Sequence, residues 1–176
     1  FQHCIRLTKV TFPSGLVHIG KDAFYGCQKL SRLLLPSGLI HIGDYAFAGC
    51  IGLTEVTLPP GLAFIGDSAF HSCSDLDQVI FPPGLTHIGV DAFGSCYRLT
   101  EIILPPGLAQ IGKGAFQQCI RLTKVTFPEG KFNIVLGHFS ENVVFSTTVN
   151  FIDLGGNKFP VEGFEFTYNG EIQILD

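Results

Sequence analysis

Six cysteines and six histidines are the side chains of this sequence best suited to metal binding, redox chemistry or nucleophilic catalysis. The cysteines stand at Cys4, Cys27, Cys50, Cys73, Cys96 and Cys119, each 23 residues after the one before. No Cys-x-x-Cys occurs, so neither a zinc ribbon nor a thioredoxin-like redox pair is written here. Thiols stacked at one strand spacing, roughly 5 Å, would approach the Cα separation of a disulfide. Side chains in a stacked column nevertheless point the same way, toward the interior, and six identical ligands in a row cannot surround one ion. The expectation is a free, buried thiol behaving as a small hydrophobe.

The histidines say less. His18, His41 and His87 share a second 23-residue column, whose other places hold Phe64 and Gln110. His18 and His41 belong to adjacent units and could approach one metal. Further ligands would have to come from the column Lys21, Asp44, Asp67, Val90, Lys113, which offers only scattered carboxylates. Solvated residues on an outer rim are the expected reading. His3, His71 and His138 have no evident partner, and His71 beside Ser72 lacks the third group that would orient a nucleophile. No Gly-x-Ser-x-Gly elbow, His-Glu-x-x-His or phosphate-cradling glycine loop is present. The expectation is a protein without catalytic residues, cofactor or metal.

Composition narrows the class further. Eleven Lys and Arg against fifteen Asp and Glu give a formal charge of −4, unsuited to holding a nucleic-acid backbone. A hydrophobic content of 46% is too high for a disordered chain. No apolar run approaches the roughly 18 residues of a membrane span.

The cysteine spacing is one column of a repeat. Five complete units run 5–27, 28–50, 51–73, 74–96 and 97–119, with a partial unit on either side. The places of Leu7, Pro13, Gly15, Leu16, Ile19, Gly20, Ala23, Phe24 and Cys27 are identical in all five. In residues 7–12 apolar and polar residues alternate with frequent β-branching, which reads as a short strand ended by Pro13. From Leu16 the apolar places 16, 19, 23, 24 and 27 fall near helical spacing, which reads as a helical turn, with Gly20 forbidding a long helix. The glycines at places 15 and 20 read as turn residues. Strand plus helical turn, stacked every 23 residues, predicts an α/β solenoid with right-handed crossovers and a parallel sheet along one side.

Units such as LTEVTLPPGLAFIGDSAFHSC at 53–73 resemble leucine-rich repeats of the BspA-like, or Treponema-type, class. The resemblance covers residues 1 to about 130. It implies a curved solenoid with its strands on the concave side. It also implies a surface, secreted or periplasmic setting and a role in binding other molecules, host or surface partners among them.

The two ends depart from the repeat. Phe1 falls in the Phe24 column and Cys4 in the Cys27 column, so the sequence opens in mid-repeat without Met or signal peptide, and a preceding segment covering the first unit is expected. Residues 1–130 therefore read as the solenoid, and 131–176 as a degenerate half-repeat followed by a β-rich C-terminal cap. In the half-repeat Ile134 and Phe139 keep their columns while Lys131 and Asn142 replace Leu and Cys. In the cap, a hairpin around Tyr168-Asn169-Gly170 would pair Phe166 with Ile172 and Phe164 with Ile174.

With places 7, 10 and 12 inward, places 8, 9 and 11 face the open side. The first column is Thr8, Ser31, Thr54, Asp77, Thr100, Thr123; the second is Lys9, Arg32, Glu55, Gln78, Glu101, Lys124. The third, Thr11, Leu34, Thr57, Ile80, Ile103, Thr126, puts three aliphatics on an exposed sheet. The predicted function is a non-enzymatic module that recognises a protein or peptide on the concave sheet through Arg32, Leu34, Glu55, Gln78, Ile80, Glu101 and Ile103. The alternative is an apolar ligand or lipid in a groove between the last repeats and the Phe-rich tail.

Overall fold

The computed structural model describes residues 1–126 throughout. Beyond them it describes the backbone of strands β11 (Val143–Ser146), β12 (Phe151–Leu154), β13 (Asn157–Pro160), β14 (Glu165–Tyr168) and β15 (Ile172–Ile174). The expected half-repeat at 131–142, and the boundary at 130, lie outside the described residues.

Each unit from 28 to 119 turns through two short strands. The first set is β2 (Arg32–Leu34), β4 (Glu55–Thr57), β6 (Gln78–Ile80), β8 (Glu101–Ile103) and β10 (Lys124–Thr126). In β2, β4, β6 and β8 the middle residue is buried and its neighbours are exposed, as the alternation requires. The equivalent residues 9–11 of the first unit form no strand. The second set is β1 (His18–Ile19), β3 (His41–Ile42), β5 (Phe64–Ile65), β7 (His87–Ile88) and β9 (Gln110–Ile111), which pair in parallel as one five-stranded sheet. That second sheet was not anticipated. Its strands are two residues long, too short for a period to register in sequence.

The helical turn expected after Leu16 is replaced by a stack of turns, and no helix occurs among the described residues. The α in the expected α/β class is therefore wrong, for a visible reason. Non-glycine residues with left-handed φ recur at the places of Asp22 and Ser72: Asp22 at 56°, Tyr45 at 53°, Ser68 at 53°, Asp91 at 51°, Ser72 at 58° and Ser95 at 60°. With the positive-φ Gly26 and Gly49 filling the second place in the first two units, two left-handed residues per turn prevent helix propagation. The main chain instead bonds sideways to the next unit: Phe24 N–H to Ala46 O (2.7 Å), Phe47 to Ala69, Phe70 to Ala92 and Phe93 to Ala115 (2.8 Å each). The architecture is a β-solenoid of stacked strands and turns.

The glycines at the Gly20 place are not turn residues either. An added Cβ at Gly66 would stand 2.6 Å from Asp44 N and 2.7 Å from Gly43 C, so glycine is needed there because consecutive units touch backbone to backbone. The positive-φ glycines sit elsewhere, at Gly26, Gly49 and Gly114.

The interior is a set of continuous columns. Phe47, Phe70, Phe93 and Phe116 are fully buried, and the rings from Phe1 to Phe116 stack nearly parallel with centroids 5.2–5.6 Å apart. At the far end β11 pairs in parallel with β10, and β14 and β15 continue that sheet in antiparallel fashion. The hairpin register is Phe166↔Ile174 and Tyr168↔Ile172, two residues away from the expected Phe166–Ile172 pairing. A slip of two preserves which residues share a face, so the alternation that suggested the hairpin could not distinguish the two registers.

Candidate binding surface

The thiol column is structural. Cys27, Cys50, Cys73, Cys96 and Cys119 are buried and free, while Cys4 is exposed. Each buried Sγ–H donates to the phenylalanine carbonyl 26 residues earlier, as in Cys50 to Phe24 O (3.3 Å) and Cys96 to Phe70 O (3.4 Å). Burial pushes the Cys50 thiol up to about 12, and Cys73 and Cys96 well above the ordinary value for the same first reason. Burial therefore disfavours the thiolate, and with it nucleophilic reactivity, at Cys50, Cys73 and Cys96. Sequence reasoning placed these groups inside but did not reveal the lateral bond that each makes.

The histidine column is a ladder on the second sheet, with His18 exposed and His41 and His87 partly exposed. His41 lies flat on Phe64 with centroids 4.6 Å apart, and His18 and His87 stand 5.7 Å to either side of that pair. His41 is half-buried; desolvation and the neighbouring His18 lower its pKa, while Asp44 opposes the shift. The acidic column is engaged in the turns: Asp44 Oδ1 accepts from Asp67 N–H (3.1 Å) and Asp67 Oδ1 from Val90 N–H (2.8 Å). Among the described residues no three His, Cys, Asp or Glu side chains are grouped to hold a metal ion. His71 Nδ1 does lie 2.9 Å from Ser72 Oγ, with no third group orienting the pair among the described residues.

The open face is built as the alternation implies. Register partners run Arg32↔Glu55↔Gln78 and Leu34↔Thr57↔Ile80, then Glu101↔Lys124 and Ile103↔Thr126. Leu34, Ile80 and Ile103 are 74%, 64% and 62% exposed, the largest exposures among the aliphatics of these strands. Lys124 Nζ stands 3.3 Å from Glu101 Oε1, whereas Arg32 and Glu55 are neighbours without closing to ion-pair distance. All seven candidate residues therefore share one face, in two groups.

The division between those groups is what sequence reasoning missed. β2, β4 and β6 form one sheet and β8, β10, β11, β14 and β15 another, with no ladder between β6 and β8. At the division lies a groove of about 530 Å³ lined by Gln78, Ile80, Glu101 and Ile103, together with Asp77, Phe81 and prolines 83, 105 and 106. Phe81 occupies a place held by Phe12, Leu35, Leu58 and Leu104 in the other units, and its ring stands edge-on to both Phe93 (5.4 Å) and Phe116 (6.3 Å). Phe and Leu share that column, with Phe12 at the same place, so the sequence offered no signal for the division. The alternative groove beside the Phe-rich tail depends on side chains outside the described residues.

A stack of 23-residue units, each contributing a leucine-anchored strand to one open face, defines a leucine-rich-repeat solenoid. The chain belongs to the BspA-type leucine-rich-repeat family, whose model matches residues 1–123 and 64–156 in six copies. It is similar to the leucine-rich-repeat protein of Treponema pallidum, at 40% identity and a TM-score of 0.71 over 78% of this chain and 64% of that one. The chain thus spans under two thirds of that relative. A leucine-rich cell-surface protein of Faecalibacterium prausnitzii matches at 26% identity and a TM-score of 0.59, over 83% of this chain and 34% of that one. The pneumococcal vaccine antigen PcpA shares the fold at 20% identity and a TM-score of 0.63, over 73% of this chain and 33% of that one. No curated protein matches the chain.

Proposed function

We propose that the chain is a non-enzymatic binding module that receives a protein or peptide partner on the face of β2, β4, β6, β8 and β10. Solenoids of this kind are a scaffold typical of protein–protein interaction, offering an extended preformed surface. The observation that carries the reading is the set Leu34, Ile80 and Ile103, each more than 60% exposed on strands whose backbone is fixed by stacked units. Exposed apolar residues grouped on one rigid face mark interaction sites, and a preformed surface loses little conformational entropy on binding. Arg32, Glu55, Gln78 and Glu101 supply the polar surround. The cell-surface description of the Faecalibacterium relative supports a partner met outside the cell.

The test is selection of binding peptides from a displayed dodecamer library, followed by affinity measurement on the chain carrying Leu34→Thr, Ile80→Thr and Ile103→Thr. Thr keeps the strand preference and already fills that column at Thr11, Thr57 and Thr126. Selected peptides should lose about tenfold or more in affinity, the size of a central contact. Undiminished binding by a folded triple variant overturns the reading.

A further inference from the structure

On the open face, the residue before β4, β6 and β10 ties its unit to the one behind. Thr54 N–H bonds Ser31 O (3.4 Å), Asp77 N–H bonds Thr54 O (3.1 Å) and Thr123 N–H bonds Thr100 O (3.0 Å). The corresponding bonds are missing from Ser31 N–H to Thr8 O at the first unit and from Thr100 N–H to Asp77 O, the latter at the same step where β6 and β8 share no ladder. Thr100 N–H and Asp77 C=O are thus left without a protein partner among the described residues, at the lip of the groove. An unpaired donor and acceptor on neighbouring strand ends are what an extended chain satisfies when it docks beside a sheet.

The groove is also polarised. Gln78 and Ile80, and likewise Glu101 and Ile103, lie two apart on one strand face, so its polar and apolar ends are separated by about 6–7 Å. Asp77 and Glu101 make one end acidic. Lys124 engages Glu101, but Asp77 has no cation within ion-pair distance among the described residues. Ile80 and Ile103 line the other end, with Phe81 behind them.

We infer that this groove receives an extended peptide segment of the protein partner in which a Lys or Arg stands two residues from an aliphatic residue. The inference rests on the binding-face reading above and specifies its ligand. In an extended peptide, residues two apart project to the same side, matching the spacing of the acidic and apolar ends. The cation meets Asp77 and Glu101, the aliphatic side chain packs between Ile80 and Ile103, and the peptide backbone accepts from Thr100 N–H and donates to Asp77 C=O. An anionic ligand such as a phosphate would meet two carboxylates at the same place and is disfavoured.

Titration of the isotope-labelled full chain with the acetylated, amidated peptide Ser-Arg-Thr-Ile-Ser, followed by amide NMR, tests this. A control peptide carries Glu in place of Arg. The expected result is saturable shifts at the Thr100, Ile80 and Ile103 amides, with the Arg peptide at least fivefold tighter than the Glu peptide. Asp77→Asn should reduce that preference below twofold, and Ile80→Thr with Ile103→Thr should abolish both titrations. No saturable shift at these amides, or equal affinity for the two peptides, overturns the inference. If that happens while library-selected peptides still lose binding on the triple Thr variant, the binding-face reading stands and only this ligand assignment falls. If the selected peptides are also unaffected, both fall.

Discussion

At the scale of single residues, the phenylalanine column is the clearest energetic feature. Phe70 is fully buried, sandwiched between Phe47 at 5.3 Å and Phe93 at 5.2 Å, with ring planes within 14° of parallel. Its neighbours are tied to the following units by the lateral Phe-to-Ala backbone bonds and by the thiol bonds from Cys73 to Phe47 and from Cys119 to Phe93. They cannot close over a missing ring. Phe70→Ala should therefore destabilise by roughly 3–5 kcal/mol in denaturant unfolding, transfer and cavity terms together. A loss below about 1 kcal/mol would show that the units relax into the space, against the rigidity argued here.

The turn element carries two opposed constraints, each with a substitution that reads it. Ser95 holds a left-handed φ of 60° without a side-chain hydrogen bond among the described residues, and its N–H reaches Gln117 O (2.8 Å). Ser95→Gly should relieve that conformation and keep the bond. The expected gain is about 0.5–1 kcal/mol, the left-handed penalty less the extra entropy of glycine in the unfolded chain. Gly66→Ala should do the reverse, because its Cβ would stand 2.6 Å from a backbone nitrogen in the preceding unit. Overpacking against backbone should cost about 1–3 kcal/mol. Thermal unfolding of both variants checks the assignment; a stabilised Gly66→Ala would mean the units can separate freely.

Across the whole molecule, stability is shared between neighbouring units, so the ends matter more than in a globular domain. β10 is followed in its sheet by β11, then β14 and β15. We propose that residues 143–176 act as a cap for the last unit. Removing them should expose the edge of β10 and lead to end-to-end association, visible as a concentration-dependent rise in mass by light scattering. A monomeric truncated chain with unchanged unfolding would make the segment an independent appendage.

The sequence alone determined the unit, its length, the inward columns and the open face, because identical places every 23 residues force identical environments in a stack. Phe70, Cys73 and Val79 are buried and Ile80 is exposed, as alternation and repetition required. The second half of the unit was misread as helical because Leu16, Ile19, Ala23 and Phe24 imitate a 3.6-residue period. Only backbone angles at Asp22 and Gly26, and hydrogen bonds between units, reveal a stack of turns instead. The histidine ladder depends on the same point, since its strands exist only through pairing with the next unit. The hairpin register likewise slipped by two because a period of two leaves faces unchanged. The groove was least legible of all. Repetition predicts that every step is alike, whereas the step from β6 to β8 lacks the ladder that joins β2, β4 and β6, a difference only the folded chain shows.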